Sequence, residues 1–309
     1  SGMATESSGA DVCEPESSMV MPYSKITLSG NTVYTDVDGN YSVNGSGTIT
    51  SDLDGLWFNL SPNATVSQNS SNPNLLHNAS NSSESNRASV NAYLHSNIVR
   101  DFTLLYAPDF PTIGNQQGFN VNTGVSGTCN AFYDGSSINF YNSGGGCSNT
   151  AFSVIVHHEY GHHLVDVAGS GQGAYGEGMG DVMGVLITGD DQLARGFYSN
   201  DCTNGIRTAN NNHQYPCSGG IHDCGQLISG CVWDTLAAMS FYPDAHAIVS
   251  SLAVNSIMMH GGSSIDPSIT FDWLVLDDDD GDLDNGTPHS VEILAGFGMH
   301  NMDELPEPL

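Results

Sequence analysis

The string His157-His158-Glu159-Tyr160-Gly161-His162-His163 constrains the chain more than any other stretch. Only His158 and His162 within it satisfy the spacing H-E-x-x-H. Positions four apart lie on one face of an α-helix, so this segment has a use for its two imidazoles only if it is helical. On that face both rings converge on one metal ion, and Glu159, one residue along, reaches a water bound to it. The competing reading is a polar helical turn with an accidental histidine cluster.

A hydrolytic zinc site needs a third protein ligand and one open position for water. A metzincin arrangement would place Gly three and His six residues beyond His162, but Val165 and Ala168 stand there. Asp166 is four residues past His162, and three ligands along one straight helix would spread over about 12 Å. Glu177 follows a Gly-rich turn and opens Glu177-Gly-Met-Gly-Asp181, whose carboxylates share one face of a next helix able to pack antiparallel to the first. The metal set is therefore His158, His162 and Glu177, with Asp181 expected to orient His158 through its second ring nitrogen.

The surrounding pattern gives these helices a setting. Ser1 to Val20 is acidic, Ser-rich and aperiodic, and reads as a mobile leader. Residues 21–70 read as a small antiparallel β region, with short alternating segments such as Lys25–Leu28 and Leu56–Leu60 between Asp-Gly and Asn-Gly turns. Ser61 to Arg87 is too polar to build a core and reads as a loop or linker. Val90, Leu94, Ile98, Phe102 and Leu105 then recur at helical spacing, predicting an amphipathic helix stopped by Pro108. Residues 71–149 thus combine linker, helix and a β region, and 150–309 form a mainly α part, with helices near 150–167, 175–188, 222–240 and 244–260.

Composition excludes several function classes. Five Lys and Arg stand against 34 Asp and Glu, a formal charge of −29. Binding nucleic acid or an anionic membrane needs clustered basic residues, and these five are scattered. No apolar run is long enough for a transmembrane helix. Ser1 to Ser18 lacks the basic and apolar regions of a signal peptide, so the chain reads as a mature or trimmed form. Seven cysteines with no C-x-x-C pair, abundant Gly, Ser and Asn, and a single lysine suggest an exported protein with disulfides. Cys13 is expected to be the unpaired one, and Cys224 and Cys231 lie too far apart on one helix to pair. Neither a G-x-S-x-G elbow nor a phosphate loop occurs.

Beyond the zinc helix, Asn130-Ala-Phe-Tyr-Asp-Gly135, Gly205-Ile-Arg207 and Gly219-Gly-Ile-His222 follow in order. With these segments the chain resembles the gluzincins, specifically the thermolysin and fungalysin group of secreted zinc metallopeptidases, across residues 86 to 240. The resemblance implies an α+β fold with a β-rich N-terminal part, a mainly α C-terminal part and the active-site helix between them. It implies a zinc endopeptidase using a metal-activated water with Glu159 as general base, and a polypeptide as its partner. Asn130 and Ala131 would then bind extended substrate along an edge strand, Arg207 would hold a substrate carbonyl, and His222 would stabilise the oxyanion. The sequence departs from the group where Cys217 replaces an aspartate five residues before His222 and where Gly176 replaces the Asn before the third ligand. Asp223 and Tyr175 are the available substitutes for a missing His partner and a missing tyrosine. The alternative is an inactive metallopeptidase fold with an extracellular structural or adhesive role.

Asp277-Asp-Asp-Asp-Gly-Asp-Leu-Asp284 concentrates carboxylates in a loop. Asp278, Asp280, Asp282 and Asp284 are candidate Ca²⁺ ligands, against the alternative of a solvated acidic loop.

Overall fold

The computed structural model describes residues 1–6, 12–13, 17–199 and 201–303. In chain order its elements are β1 (Gly2–Glu6), β2 (Met19–Val20), β3 (Lys25–Leu28), β4 (Asn31–Tyr34), β5 (Asn40–Tyr41), β6 (Thr48–Asp52), β7 (Phe58–Ser61), β8 (Thr65–Asn69) and β9 (Leu75–His77). Then come α1 (Glu84–Tyr106), β10 (Phe119–Val125), β11 (Ala131–Tyr133), β12 (Ser137–Tyr141), α2 (Ser153–Val167) and α3 (Gly173–Thr188). The chain continues through β13 (Gln192–Leu193), β14 (Arg207–Thr208), α4 (Ile221–Ala238), α5 (Ala245–Ser256), α6 (Ser268–Asp277), a 3₁₀ turn at Leu283–Asn285 and α7 (Ser290–Gly298). The result is the expected mixed α+β architecture, β-rich first and helical after.

The chain divides into two compact units. The first comprises Ser1–Arg100, Asn115–Glu159 and Arg195–Asn204. It holds an antiparallel sheet of order β4-β3-β6-β8. Alternation in β3 and β6 turns Ile26, Leu28, Ile49 and Ser51 inward. A mixed sheet runs β11-β12-β10-β7, with β10 parallel to both β7 and β12 and with β11 as its antiparallel edge. β12 is buried on both faces from Ser137 to Phe140, as an internal strand with a parallel neighbour requires. In the remaining sheet β1 pairs with β2, β5 and β9.

The second unit comprises Asp101–Gly114, Tyr160–Ala194 and Gly205–Leu309. Its α3 ends on Gly189, whose φ of 70° lets its N–H reach back to the Val185 carbonyl. α6 begins where Asp266 Oδ1 accepts the Ser268 N–H beside Pro267, and Trp273 packs edge-on against Phe297 of α7.

Several expectations change. The leader reading fails for Gly2–Glu6 and Met19–Val20, which pair as strands; residues 7–11 and 14–16 lie outside the described residues. The polar tract after Ser61 holds β8, whose Thr65, Ser67 and Asn69 alternate on an exposed face, and β9, whose Leu75 and His77 are buried. The strand ending at Ser61 pairs in parallel with β10, not within the antiparallel region. α1 is not amphipathic: Ala88–Asn97, Val99 and Arg100 are all buried, whereas Leu105 is 69% exposed. A helix buried on every side carries no periodic stripe.

The cysteines pair as Cys13–Cys202, Cys129–Cys147 and Cys217–Cys224. The free thiol is Cys231, buried on α4, not Cys13. Local spacing could not reveal a bridge spanning 189 residues.

One buried histidine makes stability depend on acid. His77 closes β9 with Nε2 2.8 Å from Ser51 Oγ, and burial lowers its pKa from 6.5 to about 4. The unfolded chain therefore binds this proton between pH 6.5 and about 4 while the native chain does not, so its contribution is present above pH 6.5 and is lost as pH falls. Each such proton costs about 1.4 kcal/mol per pH unit. Urea unfolding at pH 6.5 and 4.5 should show a loss for wild type about 2–3 kcal/mol larger than for His77→Asn. Equal losses would refute this assignment.

Candidate metal centre and active site

The four histidines of the string separate by helical phase. His157 and His163 face the interior, 1% and 3% exposed, and His157 sits edge-on to His95 of α1 with ring centroids 5.2 Å apart. Burial, with His95 adding to it, holds the His157 pKa well below the ordinary value, so this ring is neutral. His158 and His162 take the other face of the continuous helix α2, and Glu177 approaches them from α3.

One ligand atom from each of His158, His162 and Glu177 lies within 4.8 Å of the other two. His162 Nε2 stands 3.7 Å from Glu177 Oε1. The other ring nitrogen, Nδ1, is 2.8 Å from Gln172 Oε1, while the Gln172 amide nitrogen donates to the His162 carbonyl at 2.9 Å. That reciprocal pair fixes the Gln172 amide and makes Nδ1 the protonated ring nitrogen, which leaves the Nε2 lone pair aimed at Glu177. Two imidazoles and a carboxylate, poised with the correct tautomer at His162, suit a divalent ion of zinc type.

Backbone contact sets this approach. A Cβ on Gly161 would lie 2.7 Å from Gly180 Cα, so any larger residue there would push α2 and α3 apart. Gly176 has its own reason: a Cβ would stand 2.4 Å from Gln172 Oε1 and 3.2 Å from His162 Nδ1. The glycine that departs from the resembled group thus leaves room for the hydrogen bond that orients His162. Gln172 was not singled out in the sequence; its signal was its place just ahead of α3, where a polar side chain can turn back to the preceding helix.

Glu159 is 6% exposed and next to His158 on α2. His222, in the first turn of α4, has a largely exposed ring with Nε2 3.3 Å from Glu177 Oε1. Sequence reasoning kept Asp181 and Arg207 apart, but the structure joins them. Arg207 Nε and Nη2 donate to the two Asp181 oxygens at 2.7 and 2.6 Å, with the carboxylate fully buried. A bidentate pair of this kind fixes the guanidinium plane. Ala131 begins the edge strand β11, and the Asn130 carbonyl accepts from Thr150 Oγ1 at 3.0 Å.

Two substitutes fail. Asp223 accepts from His213 Nε2 at 3.1 Å instead of serving His222. Tyr175 is fully buried against His260, and burial raises its pKa, so it is a core residue. Nor does the acidic loop assemble the expected set. The carboxylates that come together are Asp278, Asp279 and Asp280, whereas Asp282 Oδ1 is turned to the backbone N–H of Asp284. Asp278 and Asp280 likewise cap the backbone of Gly281 and Asp282, because closely spaced Asp residues satisfy local turns first.

The order of the chain's elements, β-rich first and helical after, is that of a mixed α+β fold also found in a solved metalloproteinase. Among solved structures the chain is similar to the precursor of protealysin, a metalloproteinase from Serratia proteamaculans, with a TM-score of 0.54 and 14% identity over 70% of this chain and 78% of that one. At that identity the likeness is one of fold. No family model and no curated protein matches the sequence.

Proposed function

We propose that the chain is a zinc-dependent endopeptidase that works outside the cell. The observation that carries this reading is the convergence of His158, His162 and Glu177, with Glu159 adjoining on the same helix. Zinc bound by those three residues supplies Lewis acidity and lowers the pKa of a water toward about 7.

The chain's own groups do the rest. Glu159 takes a proton from the water that attacks the peptide carbonyl and passes it to the leaving amine. His222 donates a hydrogen bond to the developing oxyanion. Arg207, its plane fixed by Asp181, donates to a substrate carbonyl. The outer edge of β11 at Ala131 pairs with the backbone of an extended substrate. Export is supported by the three disulfides.

The test is hydrolysis of an unstructured casein-like substrate by the purified chain. Cleavage that stops with a zinc chelator and returns with added Zn²⁺ is expected. Zinc retained without cleavage would point to the inactive-fold alternative.

A further inference from the structure

The ring of His222 stands on an exposed stretch, residues 218–223, that leads into and begins α4. Its side chain is 64% exposed, so its direction depends on the backbone that carries it and not on a surrounding socket. That backbone has little intrinsic stiffness. Ser218, Gly219 and Gly220 lead into α4, and Gly220, at the N-cap position, offers no side chain to cap the first turn. Three features oppose fraying here: the hydrogen bond from Cys224 N–H to the Gly220 carbonyl at 2.8 Å, the contact of the Asp223 carboxylate with His213 Nε2 at 3.1 Å, and the bridge from Cys224 back to Cys217. The bridged segment contains His222.

The same turn rests directly on the metal-ligand helix. A Cβ on Gly225 would lie 2.9 Å from both Glu177 Cβ and Gly178 N, which is the closeness that brings His222 Nε2 to 3.3 Å from Glu177 Oε1. Beside it lies a cavity of 360 Å³ whose wall includes both bridged cysteines, Ile221 of α4 and Ala174 of α3. Movement of the 217–224 segment would therefore shift His222 relative to Glu177.

We infer that the Cys217–Cys224 disulfide is a positioning device for His222, holding the first turn of α4 so that the ring meets the reacting carbonyl without reorganisation. This rests on the proposed oxyanion role of His222. Misplacement of a polarising group by about 1 Å can cost up to about 10²-fold in rate, and the loss should fall on kcat because His222 acts in the transition state.

The test compares Cys217→Ser/Cys224→Ser, His222→Ala and the triple variant with wild type, reading kcat and KM on a fluorogenic peptide together with metal content. The serine pair should keep one metal ion per chain and a KM within about 2-fold while kcat falls about 10-fold. In the His222→Ala background, removal of the bridge should cost less than about 2-fold, because the group it positions is gone. A Cβ on Gly220 meets nothing within 4 Å and its φ of −70° suits any residue, so Gly220→Ser should restore a cap and recover much of the rate in the serine pair.

Equal losses in both backgrounds, or an unchanged kcat in the serine pair beside a slow His222→Ala, would overturn the inference while leaving His222 its role. A full rate for His222→Ala would overturn that role and the inference with it. If the serine pair loses its fold, Cys217→Ala/Cys224→Val supplies the same comparison with apolar atoms in the buried Cys224 site, and unchanged kcat there refutes the inference.

Discussion

Glu159→Gln should retain one metal ion per chain and lower kcat by about 10² to 10⁴-fold, with KM little changed. The substitution keeps the size and shape of the side chain at a position that is 6% exposed, so neither α2 nor its packing is disturbed. His158, His162 and Glu177, the proposed donors, are unaltered. What disappears is the ability to accept a proton from water and return it to the amine, since an amide is not a base at neutral pH. Loss confined to kcat would separate this role from one in substrate binding, which would raise KM instead. Steady-state kinetics with elemental analysis of the same preparation measures both quantities. Full activity with the metal in place would eliminate Glu159 as the general base.

That prediction was available from sequence because the relevant geometry is local. His158, Glu159 and His162 are placed by helical periodicity alone, and α2 spans Ser153–Val167 where a helix was expected near 150–167. Glu177 was accessible for a related reason: it follows a Gly-rich turn and shares one face of the next helix with Asp181, and that helix does come close to α2, at Gly161 facing Gly180. β11 at the sheet edge follows from a short motif as well.

What escaped depends on long-range or side-chain closure. Pairing of Cys13 with Cys202, of Asp181 with Arg207 and of Asp223 with His213 is set by tertiary contacts that no spacing encodes. β8 was hidden by a polar composition that reads equally well as a loop, and β9, the three residues Leu75–His77, is too short to stand out from that tract. α6 and α7 are 10 and 9 residues long, too short for a sustained periodic signal. The start of α6 was nevertheless written in Asp266-Pro267-Ser268.

The larger thermodynamic effect should come from Glu177→Ala, which is expected to weaken zinc binding by more than about 10²-fold. Losing a residue that only orients a ligand typically costs about 10–100-fold in affinity, and in the proposed site Glu177 itself would contribute one of three donor atoms. Gln172→Ala provides the internal standard. It removes the 2.8 Å contact to His162 Nδ1 but leaves all three donors, so it should fall in that lower range. The shape of the site should survive Glu177→Ala, because the approach of α3 to α2 depends on the Gly161–Gly180 backbone contact and not on this side chain. His158 and His162 should then bind zinc as a two-imidazole site, weakly and without the charge neutralisation that a carboxylate provides. Competition against a chromophoric chelator gives the affinities, and activity should fall in step with them and return partly at high Zn²⁺. Wild-type affinity in Glu177→Ala would mean that a different side chain completes the site. The third member of the proposed metal set would then be wrong, and that other side chain would have to be found.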